Sequence, residues 1–311
     1  MYCYKKLFTA TCTAASTTAV FVSQATQTTT RAKESNEDDW SSSVPLPKGE
    51  TVKKLFNGRT LEGWRGHKGT HFNVINNEIV GQSHGGYPNG APRASTYLMT
   101  TTKHRNFRLL LEAKIEGESD VHTGIAMLGE RCTCKDEVHS YKGHLVMIQD
   151  PRVPTKNINS WGLFELMRRN WSTGSVSGNW CPNGGHIQSL QTMKNAVLNS
   201  ANGWHRMEIL VRENRILVGL NGVEIINYID PNPELMQHGP IGLQLHWLPL
   251  GDERNQKIHF KGLCIVDRPL TEQLVSVIKE VTNEDSDSST CALPPEQQPS
   301  WIRTWKRRNS L

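Results

Sequence analysis

The sequence predicts an all-β fold whose antiparallel strands form a two-sheet sandwich, with an open barrel as the alternative. Three observations lead to this prediction. Apolar and polar residues alternate with a period of two in many short segments. Each segment is bounded by Gly, Asn, Asp or Pro. Helical spacing occurs only in one short stretch near the C-terminal end.

The strand segments follow one another between residues 71 and 266. The first contains Asn76-Asn77 between two apolar runs, which predicts a hairpin. A longer segment contains Glu213-Asn214 and Asn221-Gly222, which predict two turns and therefore a three-stranded meander. In chain order the segments are HFNVINNEIVGQ, FRLLLEAKIEG, HTGIAML, GHLVMIQD, HRMEILVRENRILVGLNGVEIINY, GPIGLQLHW and KIHFKGLCIV.

Residues 1–25 are predicted to be a secretory signal peptide. Lys5 and Lys6 precede a weakly apolar run, and Ser23-Gln24-Ala25 fits a small-x-small cleavage site. Since no acidic residue precedes Glu34, a mitochondrial presequence is the alternative. No other segment approaches the roughly 18 apolar residues of a membrane span. We therefore expect a secreted or periplasmic protein without a membrane span.

The rest of the chain divides into three parts. Residues 26–50 are polar and poor in aliphatic side chains, so we predict a linker. Residues 51–270 contain the strand segments and are predicted to form one domain. Residues 271–311 are predicted to hold a short helix and a polar, basic tail; the helical spacing itself runs over Leu270–Val281. We expect both ends of the chain to be disordered.

Charge and cysteine content bear on the partners. The net charge is only +5 and no basic stripe is present, so no nucleic-acid partner is predicted. Outside the predicted signal peptide five cysteines remain, and because this number is odd we expect at least one thiol that forms no disulfide. Cys132 and Cys134 lack the paired C-x2-C knuckles of a structural zinc site. A disulfide between the loops that hold Cys132 and Cys181 is favoured in a secreted protein. The oligomeric state is not predicted.

Seven blocks, taken in order, resemble the 3-keto-disaccharide hydrolase domain family. They are LFNGRTLEGWRG, FNVINNEIVGQ, STYLMTTTKHRNFRLLLEAKI, HTGIAMLGE, GHLVMIQD, GWHRMEILVRENRILVGLNGVEIINYID and GPIGLQLH. The resemblance spans about residues 55–266. The resemblance implies a jelly-roll sandwich similar to concanavalin A and laminin-G domains. It also implies an exported protein that cleaves sugars oxidised at C3.

The segment GPIGLQLHW is the first candidate for the site. Its apolar residues Ile241, Leu243 and Leu245 belong to the core face of a strand, so Gln244 and His246 belong to the opposite face, which forms the groove in a jelly roll. An amide can recognise sugar hydroxyls, and an imidazole can transfer a proton near neutral pH. Alternatively, His246 is a strand-end histidine bonded to a loop carbonyl.

Two blocks depart from the family pattern at positions that should line the groove. In GHLVMIQD, the glutamate and glutamine of the family are replaced by Leu145 and Met147, while Asp150 matches. In HTGIAML, the family has Asn first and Arg last, where this chain has His122 and Leu128. The groove therefore lacks its usual carboxylate and cation.

Other polar residues are candidates to rebuild the site. We predict His246, Asp150 and Glu165 as catalytic, and Gln244, His122, His144, Gln149, Trp161 and Glu130 as substrate-binding. Gln149 shares a strand face with Leu145 and Met147, and Trp161 is placed either to stack on a sugar ring or in the core. No metal ligand is assigned. The cofactor is unknown, and a divalent ion held by His122, His246 and Asp150 stays open.

The predicted function is an exported glycoside-cleaving hydrolase that acts on 3-keto-disaccharides or related oxidised glycosides. A ketone at C3 acidifies the hydrogen on C2, so cleavage by elimination at C1–C2 competes with conventional hydrolysis by two carboxylates. The alternative is a lectin-like carbohydrate-binding domain with a degenerate site, which Leu128, Leu145 and Met147 favour. A laminin-G-like adhesion module that binds protein is a third possibility.

Overall fold

The computed structural model describes residues 40–82, 94–117, 122–134, 137–149, 162–166, 179–180, 196, 200, 202–246 and 256–277. The described residues form two antiparallel sheets and very little helix, which confirms the all-β jelly-roll sandwich. A one-turn helix, α1 (Trp40–Ser43), precedes the strands, and a short 3-10 helix spans Pro233–Leu235. No helix among these residues combines the length and the apolar character needed to cross a membrane.

In chain order the strands are β1 (Lys53–Lys54), β2 (Trp64–Arg65), β3 (Phe72–Ile75), β4 (Glu78–Gln82), β5 (Thr96–Thr100), β6 (Phe107–Glu116), β7 (His122–Cys134), β8 (Glu137–Gln149), β9 (Gly162–Leu166), β10 (Asn179–Trp180), β11 (His205–Arg212), β12 (Arg215–Leu220), β13 (Val223–Ile229), β14 (Gly242–Leu245) and β15 (Lys257–Asp267).

Each sheet joins strands that are distant in sequence. The first sheet has the order β13-β12-β11-β6-β15-β4-β3, and β1 pairs with β15. The second sheet has the order β10-β9-β8-β7-β14-β5-β2. Because β14 lies between β5 and β7, the Gly242–Leu245 part of the segment GPIGLQLHW lies inside the second sheet, with a strand on either side.

The turns explain how the local sequence forms hairpins. Asn76 and Asn77 both have positive φ (52° and 62°), as a tight turn with the twist of the strands requires, and they join β3 to β4. Glu213 (φ 51°) joins β11 to β12, and Asn221 (φ 50°) joins β12 to β13. The predicted hairpin and the predicted meander are therefore both confirmed.

The core lies between the inner faces of the two sheets. Alternate residues of each strand point inward, so period-two segments contribute every second side chain. Inner-face residues that are at most 1% exposed include Leu98, Leu109, Leu111, Ile125, Val146, Ile209, Val218, Leu243 and Phe260. This packing fixes which face of the second sheet is left for a site.

Residues 40–50 pack on the outer face of the first sheet, within the stretch predicted as a linker. Trp40 and Val44 are 5% and 6% exposed and form an apolar cluster with Leu110 and Cys264. Glu50 adds an ion pair, because Nε of Arg108 donates to its carboxylate at 3.1 Å. This segment is therefore held to the sandwich by both apolar and ionic contacts.

The helix predicted over Leu270–Val281 does not form in its described part, residues 270–277. The backbone N–H groups of Val275 and Ser276 instead donate to the buried carboxylate of Glu208, at 2.9 and 2.7 Å. Glu208 lies on β11, so the first sheet supplies the acceptor that helical carbonyls would have supplied. The helical spacing of the apolar residues was overridden by this tertiary contact.

Candidate functional site

The outer face of the second sheet, here called the site face, contains the residues that alternate with the core. Tyr97, Met99, Ala126, Tyr141 and Leu145 form a buried apolar cluster there, and the partly buried Met147 packs against it. The two apolar replacements noted in the sequence, at positions 145 and 147, therefore lie together on this face. The floor of the site is mostly aromatic and aliphatic, as is typical of ligand pockets.

Gln244 is the main polar residue of this floor. Its side chain is 3% exposed, and its Nε2 donates to the hydroxyl of Tyr97 at 2.9 Å. Its Oε1 is buried and has no hydrogen-bond partner among the described residues. A buried acceptor without a partner is costly in a folded protein, which makes this oxygen a candidate acceptor for a ligand hydroxyl.

Tyr97 provides the complementary donor. Burial raises the pKa of its phenol well above the usual value, although the hydrogen bond from Gln244 lowers it. The phenol is therefore protonated at neutral pH, and its O–H can donate while its oxygen accepts from Gln244. Tyr97 was not among the predicted site residues, because only the pairing of β5 with β14 brings it opposite Gln244.

Two histidines lie in contact beside this floor. The ring centroids of His122 and His246 are 3.7 Å apart and the rings are tilted by 43°. Both side chains are half-buried. Two imidazolium ions at this distance repel each other, so the doubly protonated state is disfavoured and at least one ring of the pair is neutral. Such a pair offers a proton acceptor and a proton donor at one place.

The backbone around His122 is fixed by two buried side chains. Nε2 of the fully buried Gln256 donates to the carbonyl of His122 at 2.8 Å. The hydroxyl of the neighbouring Thr123 donates to the carbonyl of Gln244. The second bond ties the start of β7 to β14 and so holds His122 next to His246, while the first ties β7 to the residue just before β15.

Glycines keep the floor closely packed. A Cβ at Gly124 would lie 2.6 Å from Cδ1 of Leu145, and a Cβ at Gly242 would lie 3.2 Å from Cβ of Ala126. Position 124 therefore accepts no larger residue while Leu145 occupies its present place. Gly242 shares the face of Gln244, and a Cβ there would also lie 3.4 Å from Cδ1 of Tyr97, so the missing side chain lets the floor residues pack against β14.

His144 was predicted to bind substrate, but the structure places it inside the sandwich. The side chains of His144 and Asp230 are both fully buried, and Nε2 of His144 lies 2.8 Å from Oδ2 of Asp230. Asp230 follows β13 of the first sheet, so this pair joins the two sheets. On β8, residues 145 and 147 face the site and residue 144 therefore faces inward.

Two further predicted residues pair in register with positions outside the apolar cluster of the site face. Glu165 pairs in register with His144, not with the site-face positions of β8. Glu130 lies beyond a bulge in β7 and forms an exposed salt bridge with Lys142, with 2.6 Å between the charged atoms. Leu128, expected to replace a groove cation, lies in the core, because the same bulge gives it a positive φ of 57°.

The remaining predicted residues are placed only in part. Gln149 pairs in register with His122, at the end of β8. Asp150 and Trp161 lie outside the described residues, and so does Cys181, the predicted partner of Cys132. Among the residues that the structure describes, no group of three or more His, Cys, Asp or Glu has the geometry to hold a metal ion.

One domain family matches most of this sandwich. Its sequence profile, the 3-keto-alpha-glucoside-1,2-lyase-like domain, matches residues 51–265. The chain belongs to this family. The match runs from just before β1 almost to the end of β15, and so includes Gln244, both site histidines and Tyr97. No curated protein matches the chain.

Solved structures of several carbohydrate-related proteins are similar to this chain. A protein described as a glycosyl hydrolase from Parabacteroides distasonis ATCC 8503 is 16% identical, with a TM-score of 0.43, over 70% of this chain and 93% of the other. A prokaryotic β-1,3-1,4-glucanase from a mouse hindgut metagenome is 12% identical, with a TM-score of 0.43, over 70% and 99%. A carbohydrate-binding module from Bacillus subtilis is 13% identical, with a TM-score of 0.40, over 72% and 100%.

Proposed function

We propose that this protein is a glycoside-cleaving enzyme that acts on 3-keto-disaccharides or related oxidised glycosides at the site face. The observation that carries the proposal is the contact between His122 and His246, beside the buried Gln244–Tyr97 pair. Membership of the 3-keto-alpha-glucoside-1,2-lyase-like family supports the substrate class. The apolar and aromatic floor supports the binding of a sugar ring by stacking and apolar contact.

The proposed reaction is an elimination across C1 and C2 of the oxidised sugar. The neutral ring of the histidine pair takes the proton from C2, which the C3 ketone has made acidic. The electron pair left on C2 forms the C1=C2 double bond as the glycosidic C1–O bond breaks. The protonated ring then gives its proton to the departing oxygen, and later addition of water to C1 completes a net hydrolysis.

The Gln244–Tyr97 pair has a separate role in this proposal. Negative charge develops on the C3 oxygen while the C2 proton is removed, and a buried phenolic O–H is a suitable donor to it. The unpartnered Oε1 of Gln244 would accept a sugar hydroxyl. Since both groups are already fixed by their mutual hydrogen bond, they need little reorganisation during the reaction.

The experiment compares a 3-keto-disaccharide with its unoxidised parent. The wild-type protein is expected to cleave only the keto sugar, with a transient ultraviolet absorbance from the conjugated enone that elimination produces. His246→Ala should lower the rate by about 10²–10⁴-fold, the usual contribution of a general acid or base. His238→Ala, which removes an exposed histidine, is the matched control and should keep the wild-type rate. Cleavage of both sugars without the enone signal would contradict the elimination.

The second candidate is a carbohydrate-binding domain that does not cleave its ligand. The observation that favours it is the apolar character of the floor. Leu145 and Met147 lie there at positions where the family pattern has polar residues. If the wild-type protein binds the keto sugar saturably without cleaving it, and Gln244→Leu weakens that binding, this candidate replaces the enzyme.

We also propose that the protein is exported. The support is the pattern of residues 1–25, with Lys5 and Lys6 before an apolar run and a small-x-small site at its end. Expression in a secreting host, followed by sequencing of the N-terminus of the mature protein, tests this. A mature protein that begins at residue 26 supports export, and an unprocessed intracellular chain contradicts it.

A further inference from the structure

A hydroxyl, an imidazole and a carboxylate lie in series at one end of the sandwich, apart from the site face. Oγ1 of Thr102 lies 3.0 Å from Nε2 of His104. Nδ1 of the same ring lies 2.7 Å from Oδ1 of Asp267. Thr102 and His104 follow β5, and Asp267 ends β15, so residues 163 positions apart complete the series.

The direction of the hydrogen bonds follows from the carboxylate. Partial burial raises the pKa of Asp267, but the hydrogen bonds from Lys53 and His104 outweigh it and hold the pKa below its usual value. The carboxylate is therefore ionised at neutral pH and accepts the proton on Nδ1. When the ring carries only this proton, its Nε2 is an acceptor and the hydroxyl of Thr102 donates to it.

A nucleophile has to be accessible to its substrate, whereas its base can be buried, and the exposures of Thr102 and His104 follow this pattern. The side chain of Thr102 is exposed, whereas His104 is only 6% exposed. Lys53 donates to the second oxygen of Asp267 at 2.8 Å and so orients that carboxylate. A hydroxyl bonded to a base, which is in turn oriented by a third group, is the arrangement that activates a nucleophile.

The segment after β5 that carries Thr102 and His104 is held in place by hydrogen bonds. The backbone N–H of His104 donates to the carbonyl of Gly239 at 2.7 Å, and the N–H of Gly239 donates back at 3.0 Å. The hydroxyl of Thr100 donates to the carbonyl of Thr102 at 2.7 Å. Thr102 is thus positioned before any ligand arrives, which reduces the cost of reaching a reactive geometry.

A cavity of about 500 Å³ opens onto this series. Its lining includes Thr102, His104 and Asp267, together with Lys53, Lys54 and Lys103. The cavity lies at the opposite end of β14 from the His122–His246 pair. Thr100, which lines the cavity, donates its backbone N–H to the carbonyl of Ile241 just before β14 begins, and His246 directly follows the end of β14. Ile241 and His246 are five residues apart, which at about 3.3 Å per residue separates them by roughly 16 Å.

We propose that Thr102, His104 and Asp267 form a second reactive site, which transfers the acyl group of a small carboxylic ester to water. The proton of Thr102 moves to Nε2 of His104 while Oγ1 attacks the carbonyl carbon. The ester C–O bond breaks, and the leaving alcohol takes the proton from Nε2. Water then attacks the acyl-threonine with His104 as base, which releases the carboxylic acid and restores the hydroxyl.

Cationic side chains in the cavity favour such a reaction. The tetrahedral intermediate carries a negative charge on the former carbonyl oxygen, and Lys103 lines the same cavity as the hydroxyl. The cavity is also large enough for a short acyl group and part of an alcohol. Substrates are therefore expected among esters of short carboxylic acids, which include acyl esters of sugars.

The experiment uses a fluorophosphonate probe, which labels activated hydroxyls, and 4-nitrophenyl acetate as a small ester. The wild-type protein should be labelled at Thr102, as located by mass spectrometry, and should hydrolyse the ester. Thr102→Val, which keeps the shape but removes the hydroxyl, should abolish the label and lower the rate at least 100-fold. Thr101→Val, the neighbouring exposed threonine, should retain both within twofold.

Two results would overturn the proposal. One is a wild-type protein that takes no label at Thr102. The other is a Thr102→Val variant that hydrolyses the ester as fast as wild type, which would assign the activity to another group such as a lysine. Thermal unfolding of both variants shows whether each is folded. Since the site face is untouched, cleavage of the keto sugar should be unchanged in Thr102→Val.

Discussion

Replacement of His144 tests whether this residue stabilises the interior of the sandwich or contacts a ligand. His144→Leu keeps a side chain of similar volume but leaves the buried carboxylate of Asp230 without its imidazole partner, which now lies 2.8 Å away. Removing one partner of a fully buried pair costs about 3–5 kcal/mol. Since 1 kcal/mol changes Tm by about 2–4 °C in domains of roughly 150–250 residues, we expect Tm to fall by roughly 6–20 °C.

A double variant separates the loss of the pair from the loss of packing. In His144→Leu/Asp230→Leu no unpaired charge remains, and buried pairs are often replaced by apolar residues at little net cost. We therefore expect this variant to regain most of the lost stability, as measured by calorimetry and by the urea midpoint. His238→Leu, at an exposed position, should change stability by no more than about 0.5 kcal/mol.

The opposite outcome would refute the reasoning about β8. If His144→Leu changed Tm by less than about 2 °C and at the same time abolished sugar binding, His144 would have to face the ligand. The inward orientation of residue 144 would then be wrong, and so would the outward orientation of residues 145 and 147. The measurement therefore tests the whole assignment of the site face.

Three other substitutions test separate parts of the structure. Trp40→Ala should lower the free energy of unfolding, measured by urea denaturation, by about 3–5 kcal/mol if residues 40–50 are docked on the sheet. A loss below about 1 kcal/mol would contradict docking. Burial and then the nearby His67 lower the pKa of His139 from 6.5, so the unfolded chain binds a proton more readily than the folded chain and stability should fall as the pH falls below about 6.5. His139→Gln should therefore reduce the difference in Tm between pH 7.5 and pH 5.5. An unchanged difference would exclude this histidine as a cause of the pH dependence. In Gly239→Ala the new Cβ would clash with the carbonyl oxygen of Gly129, so we expect the free energy of unfolding to fall by about 1–3 kcal/mol or more, whereas an unchanged Tm would show that these backbones separate easily.

Much of the fold could be predicted from local sequence because strands and turns are encoded locally. Alternation with period two depends only on neighbouring residues, and Asn76 and Asn221 adopt the positive φ that their turns need. The resemblance to the family likewise rests on the order of short blocks. These signals gave the strands of the meander, the hairpin and the membership that the match over residues 51–265 shows.

The side chains of the site face could be predicted only where strand alternation was unbroken. Gln244 and His246 lie two residues apart on β14 and its end, so their shared face was predictable. Leu128 was misplaced because a bulge between Met127 and Glu130 shifts the alternation on β7. Bulges depend on the partner strand, and the sequence of one strand does not reveal them.

The amino-acid sequence by itself determined that this protein is an antiparallel sandwich of one domain family, because alternation, turns and ordered blocks are local properties. Only the tertiary structure decided which residues meet. It set Tyr97 against Gln244 by pairing β5 with β14, and His122 against His246 at 3.7 Å. It also turned His144 inward to Asp230, 86 residues away. Such contacts depend on the order of strands in the sheets and on side chains far apart in the chain, and no local pattern contains that information.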